Sequence, residues 1–535
     1  MLFSFACRLA LIRILAATKA PNIVFIIADD LGWNDVGYHG SDLRTPVLDE
    51  LARSGLRLER HYTQPECSTT RASLLTGRYV VRTGLQDDVI LNGGGMAVPL
   101  NETMMPEYLQ ELGYRNYLVG KWHLGANSRR ETPLYRGWDR FYGYYGGQVH
   151  YFGHFHTKFG GHDFRRNYRD AQGTFREDIL DELQGQYLTR LLTEEAVRVV
   201  QEHDPAGPML LYFSLPNTHS PNQSPPGYPD RCLPDTGAHS YDRKQFAGNL
   251  AGLEESVANL TAALKSSPLW NDTLLIFLSD NGGSPEGLTS YGGQSNYPLR
   301  SGKTTQFEGA LRTPAFVAGP LVEHLAGEET EGLFHVSDWF PTIISLIRRT
   351  TGQQIKYKSE VDGVDQSGML LWGGNSNRRE ILHQLNGGDQ AIRIDDLKLI
   401  VGNAGEYDGY ADQPDRPPIT LHREPPSTLL QHLLSLLHLD GGFGDFILAT
   451  DGAKVRLYNV SEDVSETKNL AVERPGDVAR MRRRLEELRG IVMPAQRNVK
   501  SNAAHHKHSS GIWMPWREYG PESVASREQS MKEEL

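Results

Sequence analysis

The chain has 535 residues and a formal net charge of −11, with 23% charged and 39% hydrophobic residues. That length predicts one large α/β domain with a smaller one beside it, and the acidic balance argues against a general nucleic-acid binder while requiring any anionic ligand to meet locally concentrated positive charge. Three cysteines exclude a disulfide framework, and one of them, Cys7, lies in an apolar, positively charged opening (residues 1–20) that reads as a weak or truncated signal peptide interrupted by Arg8 and Arg13.

Past that leader, Ile23-Val24-Phe25-Ile26-Ile27-Ala28 is a continuous apolar run of strand length, the pattern of a strand buried on both faces of a parallel sheet, and it ends at Asp29-Asp30. Thr45-Pro46 opens a helix whose Val47, Leu48, Leu51 and Ala52 fall at helical spacing, with Gly55 as its stop. A helix from Pro106 to Leu112, closed by Gly113, precedes a strand from Arg115 to Gly120 that runs into Lys121-Trp122-His123. Gln186 to His203 reads as a long helix before the strand Met209 to Leu215, which leads to Asn217-Thr218-His219. A helix from Lys244 to Lys265 then precedes the strand Thr273 to Ser279, which ends at Asp280-Asn281-Gly282-Gly283. After Pro341, Thr342 to Arg348 is the last helix of a large domain covering 21–374. This alternation predicts a doubly wound sheet with right-handed crossovers.

A smaller domain is expected over 375–497, then a segment over 498–517 that packs back, then a disordered tail over 518–535. Within the smaller domain, 411–427 is rich in proline and charge and reads as a loop, followed by a leucine-rich helix from Thr428 to Leu439 that is too short to cross a membrane. No other run is apolar and long enough to do so. Glycosylation acceptors at Asn101, Asn222, Asn259, Asn271 and Asn459 favour passage through the secretory pathway.

In open α/β sheets ligands bind outside the carboxyl ends of the strands, and four of those ends carry reactive groups here. Asp29, Asp30, Asp280 and Asn281 offer only oxygen donors, which suits a hard divalent cation and not zinc, although a sequence such as Asp280-Asn281-Gly282-Gly283 also serves as a plain turn. Lys121, His123 and His219 bring anion-binding and proton-transfer groups to the other two ends. His150, His154, His156 and His162 sit in an aromatic, glycine-rich stretch that either lines a pocket or forms a polar loop.

One pentad stands apart. Cys67-Ser68-Thr69-Thr70-Arg71, followed by Ala72-Ser73-Leu74-Leu75-Thr76-Gly77-Arg78, puts a cysteine at an expected helix start and an arginine one turn later on the same face, a place where unpaired N–H groups and the macrodipole favour an anion. From the residues alone Cys67 is a buried thiol, a disulfide partner of Cys232, or a nucleophile.

The pentad resembles the signature at which type I sulfatases convert a cysteine to formylglycine, departing from it at Thr69, where the family carries Pro or Ala. Pro21 to Gln86, including Ala28-Asp29-Asp30-Leu31-Gly32-Trp33, is similar to the opening of arylsulfatase B-like enzymes, which act on N-acetylgalactosamine 4-sulfate. Gly120-Lys121-Trp122-His123-Leu124-Gly125, Thr218-His219-Ser220-Pro221, Pro298-Leu299-Arg300-Ser301-Gly302-Lys303, Ser337-Asp338-Trp339-Phe340-Pro341-Thr342 and Gly511-Ile512-Trp513-Met514-Pro515-Trp516 match later blocks in order. The resemblance implies an alkaline-phosphatase/sulfatase-like α/β fold: a large mixed, mostly parallel sheet flanked by helices, plus a smaller C-terminal domain with an antiparallel sheet. It also implies Ca²⁺ bound by Asp29, Asp30, Asp280, Asn281 and modified Cys67. Arg71 and Lys121 would hold the formylglycine hydrate and the sulfate, His123 would act as base, and His219 with Lys303 would bind sulfate and assist the leaving oxygen.

The expected function is hydrolysis of sulfated sugars, hexosamine 4-sulfate foremost, or of aryl sulfates, in a lysosomal or extracellular setting after maturation by the formylglycine-generating enzyme. Two alternatives stand beside it: a phosphatase or phosphonate hydrolase of the same superfamily, and an unconverted binder of sulfated glycans, because Thr69 lacks proline's fixed φ.

Overall fold

The computed structural model describes residues 19–234, 239–285, 292–405, 408–410, 447–448, 454–499 and 511–515. The leader up to residue 18, the loop over 411–427, the helix expected from Thr428 to Leu439 and the tail over 518–535 lie outside these residues. Among the described residues no helix is long and apolar enough to cross a membrane.

In chain order the strands are β1 (Asn22–Ala28), β2 (Leu56–Leu58), β3 (His61–Tyr62), β4 (Arg115–Lys121), β5 (Arg140–Tyr144), β6 (Arg165–Arg169), β7 (Phe175–Ile179), β8 (Met209–Ser214), β9 (Thr273–Ser279), β10 (Ala315–Ala318), β11 (Glu328–Thr330), β12 (Phe334–His335), β13 (Glu380–Asn386), β14 (Asp389–Ile394), β15 (Leu397–Val401), β16 (Ile447–Leu448) and β17 (Lys454–Asn459). The helices that matter below are α1 (Pro46–Arg53), α2 (Cys67–Thr76), α3 (Met105–Glu111), α4 (Leu188–Glu202), α5 (Tyr241–Lys265), α6 (Trp339–Thr351) and α7 (Pro475–Leu488).

Ten strands form one sheet in the order β11-β2-β10-β9-β1-β8-β4-β5-β6-β7. Its middle five, β9-β1-β8-β4-β5, run parallel, so their carboxyl ends share one edge. Both faces of this centre are covered, and β1 shows it by alternation: Ile23, Phe25 and Ile27 enter one apolar cluster, Val24, Ile26 and Ala28 the other. The first cluster takes side chains from α2, α3 and α6, the second from α1, α4 and α5. The smaller unit is a five-stranded antiparallel sheet, β13-β14-β15-β17-β16, on which α7 packs.

The sheet is mixed and mostly parallel, as the resemblance implies: β10 runs antiparallel to β9, and β6 and β7 extend β5 as an antiparallel ribbon. The ribbon's sequences, Arg-Arg-Asn-Tyr-Arg and Phe-Arg-Glu-Asp-Ile, are too polar to read as strands. Two local expectations change. The helix expected from Thr342 begins at Trp339, ahead of Pro341, because a proline in the first turn forfeits an N–H that would have had no helical partner, and it is not the last of the large unit, since a short helix, Ser367–Trp372, follows it and packs into the same core. Gly55 is not a left-handed stop: the helix ends at Ser54 in right-handed conformation, and Gly55 is required by close approach, since a Cβ there would lie 1.9 Å from the Val317 carbonyl oxygen. Gly55→Ala must therefore push β10 away from β2, and chemical denaturation is expected to show a loss of about 1–3 kcal/mol.

Candidate active site

The carboxyl edge of the five parallel strands brings the chemistry together. Ala28 pairs with Ser279, so Asp29 and Asp280 leave neighbouring strands at the same level, with Asp30 and Asn281 one residue on. The Asp30 N–H donates to Asp280 Oδ1 at 3.1 Å, and Asn281 Nδ2 donates to Asp30 Oδ1 at 2.7 Å. Lys121 ends β4 and places Nζ 2.6 Å from Asp29 Oδ2 with both side chains fully buried.

Cys67 is the first residue of α2, all ten residues of which are buried. Its Sγ lies 3.4 Å from Asp29 Oδ1, 3.7 Å from Asp30 Oδ1 and 3.2 Å from Lys303 Nζ. Cys67 and Cys232 are both free, which removes the disulfide reading. One turn along α2, Arg71 grips Asp280 Oδ2 through Nε at 3.1 Å and Nη2 at 2.8 Å, and its Nη1 donates to Ser214 Oγ at the end of β8. The ammonium of Lys303 bridges both oxygens of Asp30 at 2.7 and 2.8 Å. Three buried carboxylates thus face three cations.

Electrostatics follow from that balance. Burial alone would raise the Asp29 carboxyl, but Lys121, His219, Arg71 and Lys303 outweigh it and hold it far below the ordinary range. Asp30 is likewise lowered, its burial overcome by Lys303 and His219. Asp280 goes the other way: burial and the Asp29 charge push it up to about 6 against Arg71 and Lys121. Burial and Asp280 push the Cys67 thiol well up, which favours its protonated form.

His123 follows β4 in left-handed conformation, φ 56°. Its Nε2 is 2.8 Å from the Ile90 carbonyl oxygen, which can only accept, so Nε2 carries the proton and Nδ1 the lone pair; Nδ1 is buried without a hydrogen-bond partner. Burial, then Lys121 and Arg71, hold this imidazole well below its usual pKa. His219 follows β8, with Nδ1 against the Ser220 carbonyl at 2.6 Å and Nε2 facing Asp30 Oδ2 at 3.7 Å. Burial also lowers it, with Lys303 and Lys121 adding to the shift and Asp30 and Asp29 opposing.

All ten residues singled out in the sequence, Asp29, Asp30, Cys67, Arg71, Lys121, His123, His219, Asp280, Asn281 and Lys303, lie along this edge. Two further contributors were not legible. Ser214 is an ordinary β8 residue until it receives Arg71, and Tyr144, at the carboxyl end of β5 in register with Lys121, is a buried phenol that feels the charges of Asp29 and Arg71. The histidine-rich stretch resolves as a structured loop: His150 stacks on Phe155 and meets Gln223, while His154 and His162 bond the Gln186 and Phe164 carbonyls. Gly511 to Pro515 returns against it, with Trp513 N donating to the His162 carbonyl at 3.0 Å.

Comparison with known proteins gives the family. The sulfatase family profile matches residues 21–348. The chain belongs to the sulfatase family. It is 32% identical to mouse arylsulfatase J over 94% of this chain and 81% of that protein. It is 34% identical to bovine arylsulfatase A over 70% and 72%, and 32% identical to mouse N-acetylgalactosamine-6-sulfatase over 68% of each. The crystal structure of Ps i-CgsB in complex with k-i-k-neocarrahexaose superposes with a TM-score of 0.69 at 25% identity, covering 92% of this chain and 98% of that one. The chain is accordingly a sulfuric ester hydrolase with the sulfatase fold.

The oxygen donors at this edge of the sulfatase suit a hard cation. Ligand atoms of Asp29, Asp30, Cys67 and His219 lie within 4.8 Å of one another, and Asn281 Oδ1 is a buried oxygen with no partner. Asp280, whose oxygens meet Arg71 and the Asp30 amide, borders this cluster. Lys121→Met would strand Asp29 among the other two carboxylates, and urea unfolding is expected to report a loss of about 3–5 kcal/mol.

Proposed function

We propose that this sulfatase removes sulfate from sulfated sugars, glycosaminoglycan hexosamine 4-sulfate foremost, using formylglycine made from Cys67 and Ca²⁺ held by Asp29, Asp30, Asp280 and Asn281. The observation that carries the reading is Cys67 Sγ at the start of α2, within 3.7 Å of Asp29, Asp30 and Lys303 together. The sulfur stands where formylglycine would carry oxygen. The hydrated aldehyde supplies two hydroxyls on one carbon, one to attack sulfur and one whose deprotonation releases sulfate, and the cation supplies acidity and charge neutralisation.

The chain's own residues do the rest. Arg71 fixes Asp280 and the α2 start, while Lys121 and Lys303 set positive charge around the place where sulfuryl oxygens gather. His123 would accept a proton at Nδ1, and burial with Lys121 and Arg71 nearby favours its neutral form. His219, whose Nε2 faces Asp30 Oδ2 at 3.7 Å, would bind sulfate and meet the leaving oxygen. The resemblance to arylsulfatase B-like enzymes favours the 4-position; one relative is named for the 6-position, so both belong in the test. The glycosylation acceptors and leader suit a secretory route to lysosome or extracellular space, with the formylglycine-generating enzyme as the maturation partner.

Thr69 bears on that maturation. It is the third residue of α2 and donates Oγ1 to the Glu66 carbonyl at 2.6 Å. Proline there falls in the first turn and forfeits that side-chain bond, while its fixed φ would present a stiffer segment to the modifying enzyme. The deciding experiment is the mass of the peptide His61 to Arg71 from secreted protein, paired with turnover of N-acetylgalactosamine 4-sulfate, its 6-sulfate, an aryl sulfate and an aryl phosphate. Formylglycine with preferred cleavage of the 4-sulfate is the expected result; cysteine alone with no turnover would leave a sulfated-glycan binder, and phosphate preference would move the chain to the phosphatase reading. Thr69→Pro is expected to raise the formylglycine fraction severalfold with turnover rising in proportion, read by the same peptide mass.

A further inference from the structure

His123 is held by a loop that is itself clamped from two distant parts of the chain. The ring is boxed in: its backbone N–H donates to the Tyr145 carbonyl at 3.1 Å, Nε2 donates to the Ile90 carbonyl at 2.8 Å, and Gly147 lies so close that a Cβ would sit 2.4 Å from Nε2. Which nitrogen carries the proton is decided by Ile90 alone, because only that carbonyl meets Nε2. The position of the Ile90 carbonyl is therefore a catalytic variable.

Ile90 is anchored from two sides. Its N–H, in the peptide that precedes the carbonyl, donates to Ser68 Oγ at 3.0 Å, a fully buried bond from the residue that directly follows Cys67. From the other side Asn498 grips both peptides around Ile90: its Oδ1 accepts from Leu91 N, in the same peptide as the Ile90 carbonyl, at 3.1 Å, and its Nδ2 donates to the Val89 carbonyl at 2.8 Å and to Asp88 Oδ2 at 2.9 Å. Asn498 belongs to a strap that lies along this loop, with Met493 N bonded to Val81, Gln496 N to Gly84 and Val499 N to Gly94, each at 2.7 Å. No catalytic group lies on the strap.

We propose that Ser68 and Asn498 are positioning residues for catalysis: together they fix the Val89–Leu91 loop so that Ile90 keeps the His123 proton on Nε2 and leaves Nδ1 as the base. The inference rests on His123 being the base in the reading above. It gives the C-terminal strap a role in the chemistry, and it gives the second residue of the cysteine signature a task separate from modification.

The test uses full-length secreted protein, with kcat expressed per formylglycine as measured by peptide mass, so that any effect of Ser68 on maturation divides out; Asn498 lies far from the signature and needs no such correction. Ser68→Ala is expected to lower kcat on an aryl sulfate at least tenfold and Asn498→Ala severalfold, each with KM within about twofold, because ground-state binding is untouched. Ser68→Thr, which keeps the hydroxyl, should retain most of the wild-type kcat. The double variant should lose less than the product of the single losses, since both act through the placement of the one Ile90 carbonyl. Unchanged kcat in both single variants, or losses that track KM or melting temperature without rescue by threonine, would overturn the proposal. A wild-type protein with neither formylglycine nor sulfate turnover would instead refute the reading on which it rests.

Discussion

Three carboxylates packed side by side away from water govern this structure. Asp29, Asp30 and Asp280 are all nearly inaccessible to solvent, and bringing them together costs both desolvation and mutual repulsion. The fold meets that cost with cations from three separate places: Lys121 at the end of β4, Arg71 one turn into α2, and Lys303 from the loop after β9. None of these pairings is local in sequence, so the strand order β9-β1-β8-β4 and the placement of α2 are what make the charges balance. The arrangement stores charge where an anionic ester and a cation can both be held, which explains why an acidic protein can bind an anionic substrate.

The same reasoning applies where the small sheet meets the large one. Arg378, just ahead of β13, holds Asp338 with Nε at 3.0 and 2.8 Å and reaches Tyr79 OH at 2.8 Å. Lys398 of β15 lies fully buried between Glu308 at 3.0 Å and Glu466 at 2.8 Å. Burial with Lys398 nearby divides the two acids: Glu308 is held down to about 2 because Lys398, Arg393 and Arg312 overcome burial, whereas burial and the Glu308 charge push Glu466 up to about 7. A seam built from buried ion pairs specifies one docking geometry, since a shifted sheet would leave each charge unpaired. That geometry also sets the start of the strap whose Asn498 reaches the Val89–Leu91 loop.

Much of this was legible because the central strands are extreme. Runs such as Ile23 to Ala28 and Thr273 to Ser279 are apolar on both faces and stop at acids, so strand, burial and site edge are read together. The smaller pieces were not legible for equally physical reasons. The ribbon of β6 and β7 is short and charged because it lies at the sheet's margin, and α2 carries no apolar stripe because every one of its faces is buried. Ser214, Tyr144 and Ile90 acquire their roles only from neighbours far along the chain. A backbone carbonyl such as that of Ile90 leaves no mark in sequence at all.

Backbone conformation ties these threads together. Seven non-glycine residues adopt positive φ among the described residues, and four of them, Asp30, His123, Ser301 and Thr304, sit in the carboxyl-edge loops beside Asp29, Lys121 and Lys303. Each such residue costs about 1–3 kcal/mol and persists only when its surroundings over-determine it. At Asp30 the surroundings are the Asp280 acceptor and the Lys303 ammonium; at His123 they are the Tyr145 and Ile90 carbonyls; at Thr304 the backbone N–H is fixed by the Pro65 carbonyl just before the cysteine signature. The sharp turn after each strand swings the next side chain back over the sheet edge, and the hydrogen bonds that hold the turn are the ones that aim the carboxylate, imidazole and ammonium. Strain and preorganisation are therefore one feature of this site: relaxing the turns would stabilise the loops and scatter the carboxylates, imidazole and ammonium that this edge brings together.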